Sequence, residues 1–146
     1  MKQLSLFHEP SDYKVAAALG SLLPLMKAAM NEVADNHNLS RDLIADRMNE
    51  LSRTAGIKLS SGNVKSIKTA SLNKWLAPAD REHPPSILAL LTFCIATKSV
   101  EPLLPLLHAL GCELMTEEDR KLRDYGEAIL NEKEARKRKR QLEAKF

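Results

Sequence analysis

Residues 40–51, SRDLIADRMNEL, contain the clearest helix start in the chain and favour an all-α fold. Ser40 is typical of an N-cap, and Asp42 falls in the first turn, where the helix dipole stabilises an anion. Large apolar residues then recur at helical spacing, at Leu43, Ile44, Met48 and Leu51. The stretch therefore predicts an amphipathic helix that buries one face.

The composition agrees with a helical protein of one compact domain. The 146 residues are 44% hydrophobic, only 4% aromatic and poor in glycine, which favours helices around a single core. We expect an N-terminal arm over residues 1–14, a helical domain over 15–115 and a long charged C-terminal helix over 116–146. No apolar run is long enough to span a membrane and none resembles a leader, so we expect a cytoplasmic protein.

Local signals predict where most of the other helices begin and end. One helix is expected from Ser21 to Asn36, with Pro24 in its first turn, where a missing N–H costs nothing. The near-continuous apolar run within residues 86–99 predicts a helix buried on most sides. Gly111 is suited to a left-handed helix end, and Thr116 with Asp119 resembles a capping box.

A basic segment precedes a short helix that contains the only tryptophan. Residues 51–79 include one arginine and four lysines but no acid. In SLNKWLA, residues 71–77, three apolar side chains share one face, namely Leu72, Trp75 and Leu76. Thr69 or Ser71 is expected to cap this helix.

This order of elements resembles the helix-turn-helix of phage-repressor-like DNA-binding domains, with SRDLIADRM, residues 40–48, as the bracing helix and residues 71–77 as the recognition helix. That arrangement implies contacts of Thr69, Ser71, Asn73 and Lys74 with duplex DNA, because such side chains pair with base edges. Lys58, Lys65 and Lys68 are expected to contact phosphates. The departure is the turn, about eighteen residues in place of three or four. A plain helical bundle with a basic loop is the alternative.

Catalytic and metal-binding patterns are missing from the sequence. The four histidines, at positions 8, 37, 83 and 108, are scattered without ligand spacing, and no glycine-rich phosphate loop or nucleophile elbow occurs. Cys94 and Cys112 lie in apolar sequence without CxxC spacing and are predicted to be reduced and buried. We therefore expect no enzyme activity, no metal and no cofactor.

Nearly the whole chain resembles a family of small DNA-binding proteins encoded by Mu-like transposable phages and related prophages. The resemblance is carried by SRDLIADRMNEL, LNKWLAP with REHPP, FCIATKS, and LLPLLHALGCELMTEEDRKLRDYGEAI. Members also tend to begin with a short QLSLF-like sequence. The resemblance implies a phage-encoded DNA-binding protein, which we expect to regulate transcription.

The N-terminal stretch QLSLF, formed by Gln3, Leu4, Ser5, Leu6 and Phe7, resembles the peptide by which many bacterial replication proteins dock on the sliding clamp. Leu6 and Phe7 would fill an apolar pocket while Gln3 forms hydrogen bonds beside it. The alternative is an arm that packs on its own helices or on a second subunit. An adaptor or inhibitor of the host clamp is therefore a second functional hypothesis.

The basic run RKRKR at residues 136–140 has two interpretations, phosphate contact or a solvated helix end. A third functional hypothesis is a non-enzymatic scaffold whose long C-terminal helix pairs with another copy. A homodimer is compatible with the repressor-like arrangement, although no heptad pattern defines its seam.

Overall fold

Helices alone form the secondary structure of residues 10–62 and 65–146, the part of the chain that this computed structural model describes. They are α1 (Pro10–Asn36), α2 (Arg41–Ala55), α3 (Thr69–Leu76), α4 (Ile87–Thr97), a 3₁₀ turn (Glu101–Leu103), α5 (Leu104–Ala109) and α6 (Glu117–Glu143). The predicted all-α class is confirmed. The chain divides into two compact units, Met1–Cys112 and Glu113–Phe146.

The first helix is longer than predicted. It begins at Pro10 and not at Ser21, so that Pro24 lies inside the helix and residues 10–14 belong to the helix and not to an arm. The physical reason is that residues 16–19, AAAL, are strong helix formers and outweigh the cost of Gly20. Proline at the first position loses no hydrogen bond, whereas Pro24 leaves one internal bond unmade.

The predicted start of α2 is confirmed. The Ser40 hydroxyl accepts a hydrogen bond from the Leu43 N–H, and Asp42 lies in the first turn. The helix ends at Gly56, whose φ of 67° is left-handed. Its last carbonyls accept from the N–H groups that follow, so both ends of α2 are satisfied.

The core of the first unit lies among α1, α2, α3 and α4, with the 3₁₀ turn and α5 against α1. α1 contributes Met26, Met30 and Ala34. α2 contributes Ile44, Ala45 and Met48. The rest of the buried apolar set comes from the linker and the two later helices, namely Leu59, Ile67, Leu72, Trp75, Leu76, Ala89, Leu90, Phe93, Cys94 and Ala96.

The prediction that α4 is buried on most sides is confirmed, since seven of its eleven residues are buried. One face packs into the core, but four large apolar side chains on the other face are exposed: Ile87, Leu88, Leu91 and Ile95. A run that is apolar at nearly every position has no periodicity, so its sequence does not reveal which side lacks a neighbour.

The last elements follow the predicted signals. Gly111 has a φ of 70°, and the Cys112 N–H reaches back to the Leu107 carbonyl at 2.8 Å, which closes the end of α5. Thr116 and Asp119 form the capping box of α6 in both directions. Cys112 is exposed, contrary to the prediction, because the chain leaves the core at Gly111, whereas Cys94 is buried. No helix within the described ranges is long and apolar enough to cross a membrane.

Candidate nucleic-acid interface

The short helix α3 is fixed by its apolar face. Leu72, Trp75 and Leu76 are all buried, as predicted from their spacing. The opposite face, which carries Asn73 and Lys74, is exposed. α3 therefore presents polar side chains from a firmly packed base.

A buried lysine holds the C-terminal end of α3. Lys27 of α1 is fully buried, and its ammonium donates to the carbonyl of Lys74 at 2.9 Å and to that of Asp80 at 2.5 Å. The Lys74 carbonyl belongs to the last turn of α3, where helix carbonyls lack internal donors. Burial lowers the pKa of Lys27, and the charge of Asp80 partly opposes that effect.

The turn after α3 is closed by Asp80. Its carboxylate accepts from the backbone N–H groups of Glu82 and His83, and it lies 2.9 Å from the His83 Nδ1. Burial alone would raise the pKa of Asp80, but the hydrogen bonds from His83 and Glu82 hold it below its ordinary value. The turn therefore has a defined conformation where Lys27 contacts it.

The N-terminal end of α3 is held by Asn49 of α2. Its side-chain amide donates to the Ile67 carbonyl at 2.9 Å and accepts from the Ile67 N–H at 2.8 Å. Lys68 then occupies the N-cap position without a side-chain cap. The predicted caps at Thr69 or Ser71 are wrong, because Thr69 is already inside the helix and its hydroxyl donates to the Asp42 carboxylate of α2.

Two of the predicted DNA-reading residues face α2. Thr69 contacts Asp42, and one turn later the Asn73 side-chain oxygen accepts from Arg41 Nη1 at 3.0 Å. Arg41 also donates to the side chains of Asn31 and Asp35, each at 2.8 Å. The acceptor of Asn73 is therefore occupied within the protein.

The other two predicted reading residues lie on a different side of α3. Ser71 and Lys74 line an open cavity of about 550 Å³. Its other walls are residues 59–61, Trp75 and residues 82–86. The four residues predicted to contact bases therefore lie on two sides of α3. Thr69 and Asn73 face α2, whereas Ser71 and Lys74 line the cavity.

The predicted phosphate contacts are available to a ligand. Lys58, Lys65, Lys68 and Lys74 are exposed. None of them lies within 4.0 Å of a carboxylate among residues 10–62 and 65–146. The four cations are consequently free of any internal partner in the described chain.

The sequence did not predict three residues that position α3. Lys27, Arg41 and Asn49 each bond to a partner far along the chain, and nothing in their local sequence identifies that partner. A lysine in the middle of an apolar stripe, as in LMKAAM, is the one available signal.

Other functional patterns add little. Within the described ranges no group of three histidine, cysteine or acidic side chains could hold a metal ion. In the basic run, Arg136 pairs with Glu132 at 2.6 Å on an exposed helix. The predicted clamp-binding residues lie outside the described residues, namely Gln3, Leu4, Ser5, Leu6 and Phe7.

Comparison with protein-family models, with curated proteins and with solved structures finds no match to this chain.

Proposed function

We propose that the protein binds duplex DNA through α3 and the basic linker of residues 56–68, and that it acts as a phage-encoded transcriptional regulator. One observation carries the proposal: the linker and α3 carry four exposed lysines that have no internal partner in the described chain, and the polar face of α3 is exposed. Unpaired cations of this kind release counterions when they meet phosphates, which supplies affinity that is independent of sequence.

The dimensions of α3 suit a major groove. A helix with its side chains is about 10–12 Å across, and the major groove, about 12 Å wide, admits it. Ala70 stands between the polar positions and allows the backbone to approach bases closely. Ser71 and Lys74 are the side chains best placed to contact base edges, because no intramolecular hydrogen bond occupies the Lys74 ammonium or the Ser71 hydroxyl among the described residues.

Internal contacts assign different roles to the other two reading residues. Thr69 donates to Asp42 and is proposed to position α3 and not to read a base. Asn73 pairs with adenine only if Arg41 releases its oxygen, since that base requires both a donor and an acceptor. Arg41 is then free to contact a phosphate.

The test is binding of a mixed-sequence duplex of about 25 base pairs, measured by fluorescence anisotropy at several salt concentrations. The triple variant Lys68→Ala, Asn73→Ala, Lys74→Ala should bind more weakly. The slope of log affinity against log salt should become shallower by about 1, because the phosphate contact of Lys68 is lost. The control Lys14→Ala, Lys133→Ala removes two exposed lysines elsewhere and should leave the slope unchanged.

Unchanged duplex binding by the triple variant at moderate salt would show that α3 is not the contact surface. Failure of the wild type to bind any duplex at about 100 μM would exclude the function itself, because even non-specific DNA binders reach that range.

Binding of the host sliding clamp is the second candidate, favoured by the match of all five residues of QLSLF. It is tested by recovery of purified clamp on the immobilised protein and on the variant Leu6→Ala, Phe7→Ala. The wild type should retain the clamp and the variant should not. Equal recovery by both, or recovery by neither, would remove this candidate.

The scaffold candidate rests on α6 alone. This helix has no buried residue and lacks a sustained heptad pattern, so it offers no continuous seam to a second α6. We therefore give it no separate role in the proposal.

A further inference from the structure

The outer face of α4 carries an exposed apolar row. Ile87 is 78% exposed, Leu91 41% and Ile95 62%, and Leu88 beside them is 45% exposed. The whole helix, Ile87–Thr97, contains no charged residue. Together the four side chains expose more apolar surface than two fully exposed leucines, which is the size of the largest patches on ordinary monomers, about 300–600 Å².

The order of residues in this row is the same in both directions. Ile87, Leu91 and Ile95 are spaced by four, so they lie along one ridge of the helix, with leucine at the centre and isoleucine at each end. A two-fold axis through Leu91 would place Ile87 opposite Ile95 of a second copy and Leu91 opposite its own equivalent. Such reciprocity is what a symmetric dimer requires of a surface.

The row is suited to the centre of a dimer interface. A stable interface buries about 800 Å² on each partner, and its centre is apolar and depleted of charge. The row would supply roughly half of that area, and the flanking side chains of α4 and its neighbours would supply the rim. Because α4 is uncharged, two copies meet without like-charge repulsion at the centre.

We propose that two copies of this chain pair through their α4 helices, in antiparallel orientation about an axis at Leu91. Ridges spaced by four residues pack against each other at a crossing angle of about −50°. The dimer would display two α3 surfaces related by two-fold symmetry, but its formation does not depend on whether α3 binds DNA.

Sedimentation velocity of the full chain tests the pairing between about 1 and 200 μM. The wild type should change from monomer to dimer across this range, and Leu91→Glu, Ile95→Glu should remain monomeric throughout. The matched control is Leu43→Glu, an exposed leucine on α2, which should dimerise as the wild type does. Far-ultraviolet circular dichroism and urea unfolding confirm that each variant is folded.

Crosslinking identifies the axis. In a Cys112→Ser background, Leu91→Cys should form an intermolecular disulfide on mild oxidation, whereas Leu43→Cys should not. A wild type that stays monomeric at 200 μM would overturn the proposal, as would a dimer that survives Leu91→Glu, Ile95→Glu. In the first case another segment or partner covers α4, and in the second another surface pairs. The α3 variant Lys68→Ala, Asn73→Ala, Lys74→Ala should dimerise as the wild type does, which separates this result from the test of DNA binding.

Discussion

Replacing Lys27 by methionine tests what holds α3 in place. Methionine keeps most of the length and apolar volume of the lysine stem but removes the ammonium. The carbonyls of Lys74 and Asp80 then lose the donor that lies 2.9 and 2.5 Å away. The substitution therefore removes one tie between α1 and the C-terminal end of α3 without opening a large cavity.

The expected cost follows from these two carbonyls. A hydrogen bond from a charged donor is worth about 1.5–3 kcal/mol, and water can replace part of it at these two partly buried carbonyls. Removal of a fully buried ammonium relieves part of that penalty, because burying a charge is itself unfavourable. We expect a net loss of about 2 kcal/mol in the free energy of unfolding.

Urea unfolding followed by circular dichroism measures this difference, with an unchanged m value expected for the variant. Lys14→Met changes an exposed lysine on the same helix and should alter stability by less than about 0.5 kcal/mol. A Lys27→Met protein as stable as the wild type, or more stable, would refute the reasoning.

The pH dependence gives an independent check on Lys27. Its pKa is lowered in the folded protein, so the unfolded chain binds a proton more readily between that value and the ordinary 10.5. Stability of the wild type relative to Lys27→Met should consequently rise as the pH increases through this window. A flat difference would show that the pKa of Lys27 is not lowered in the folded protein.

Four further results are expected. Asn49→Ala should lower the free energy of unfolding by about 1–3 kcal/mol, measured in urea, because the linker backbone loses both hydrogen-bonding partners. With a thiol reagent at pH 8, Cys112 should react fast and Cys94 only on unfolding, because burial raises the pKa of Cys94 to about 11. Thr116→Ala removes a helix cap that contributes about 1 kcal/mol. It should therefore lower the helicity that circular dichroism measures at neutral pH. The pKa of Asp119 is held low by hydrogen bonds from the Thr116 backbone and side chain. The capping contribution of Asp119 should therefore be present at neutral pH and fade as the pH falls below about 4.

Features encoded by neighbouring residues could be predicted from the sequence. The Ser40 cap, the inward face of α3 and the capping box at Thr116 each depend on residues within four positions of one another. Their physics is local, so the pattern is sufficient.

Features that depend on distant partners could not be predicted. Lys27 bonds to groups 47 and 53 positions away, and Arg41 reaches Asn73 across 32 positions. These contacts decide which side of α3 is occupied and which is free. The early start of α1 was missed for another reason. Proline is common in the first turn of a helix, so Pro24 indicates a helix start although it lies inside α1.

The ties at both ends of α3 have a consequence for how the chain can vary in length. In a short-turn arrangement the turn itself sets the angle between the two helices, so an insertion there would re-aim the second one. Here Asn49 and Lys27 set the position of α3, and the linker of residues 56–68 is anchored in the core only by Leu59 and Ile67. Doubling such a loop costs about 0.6 kcal/mol in closure entropy. Proteins of this architecture can therefore gain or lose linker residues during evolution while α3 keeps its orientation, and a search pattern with a fixed turn length would not detect them.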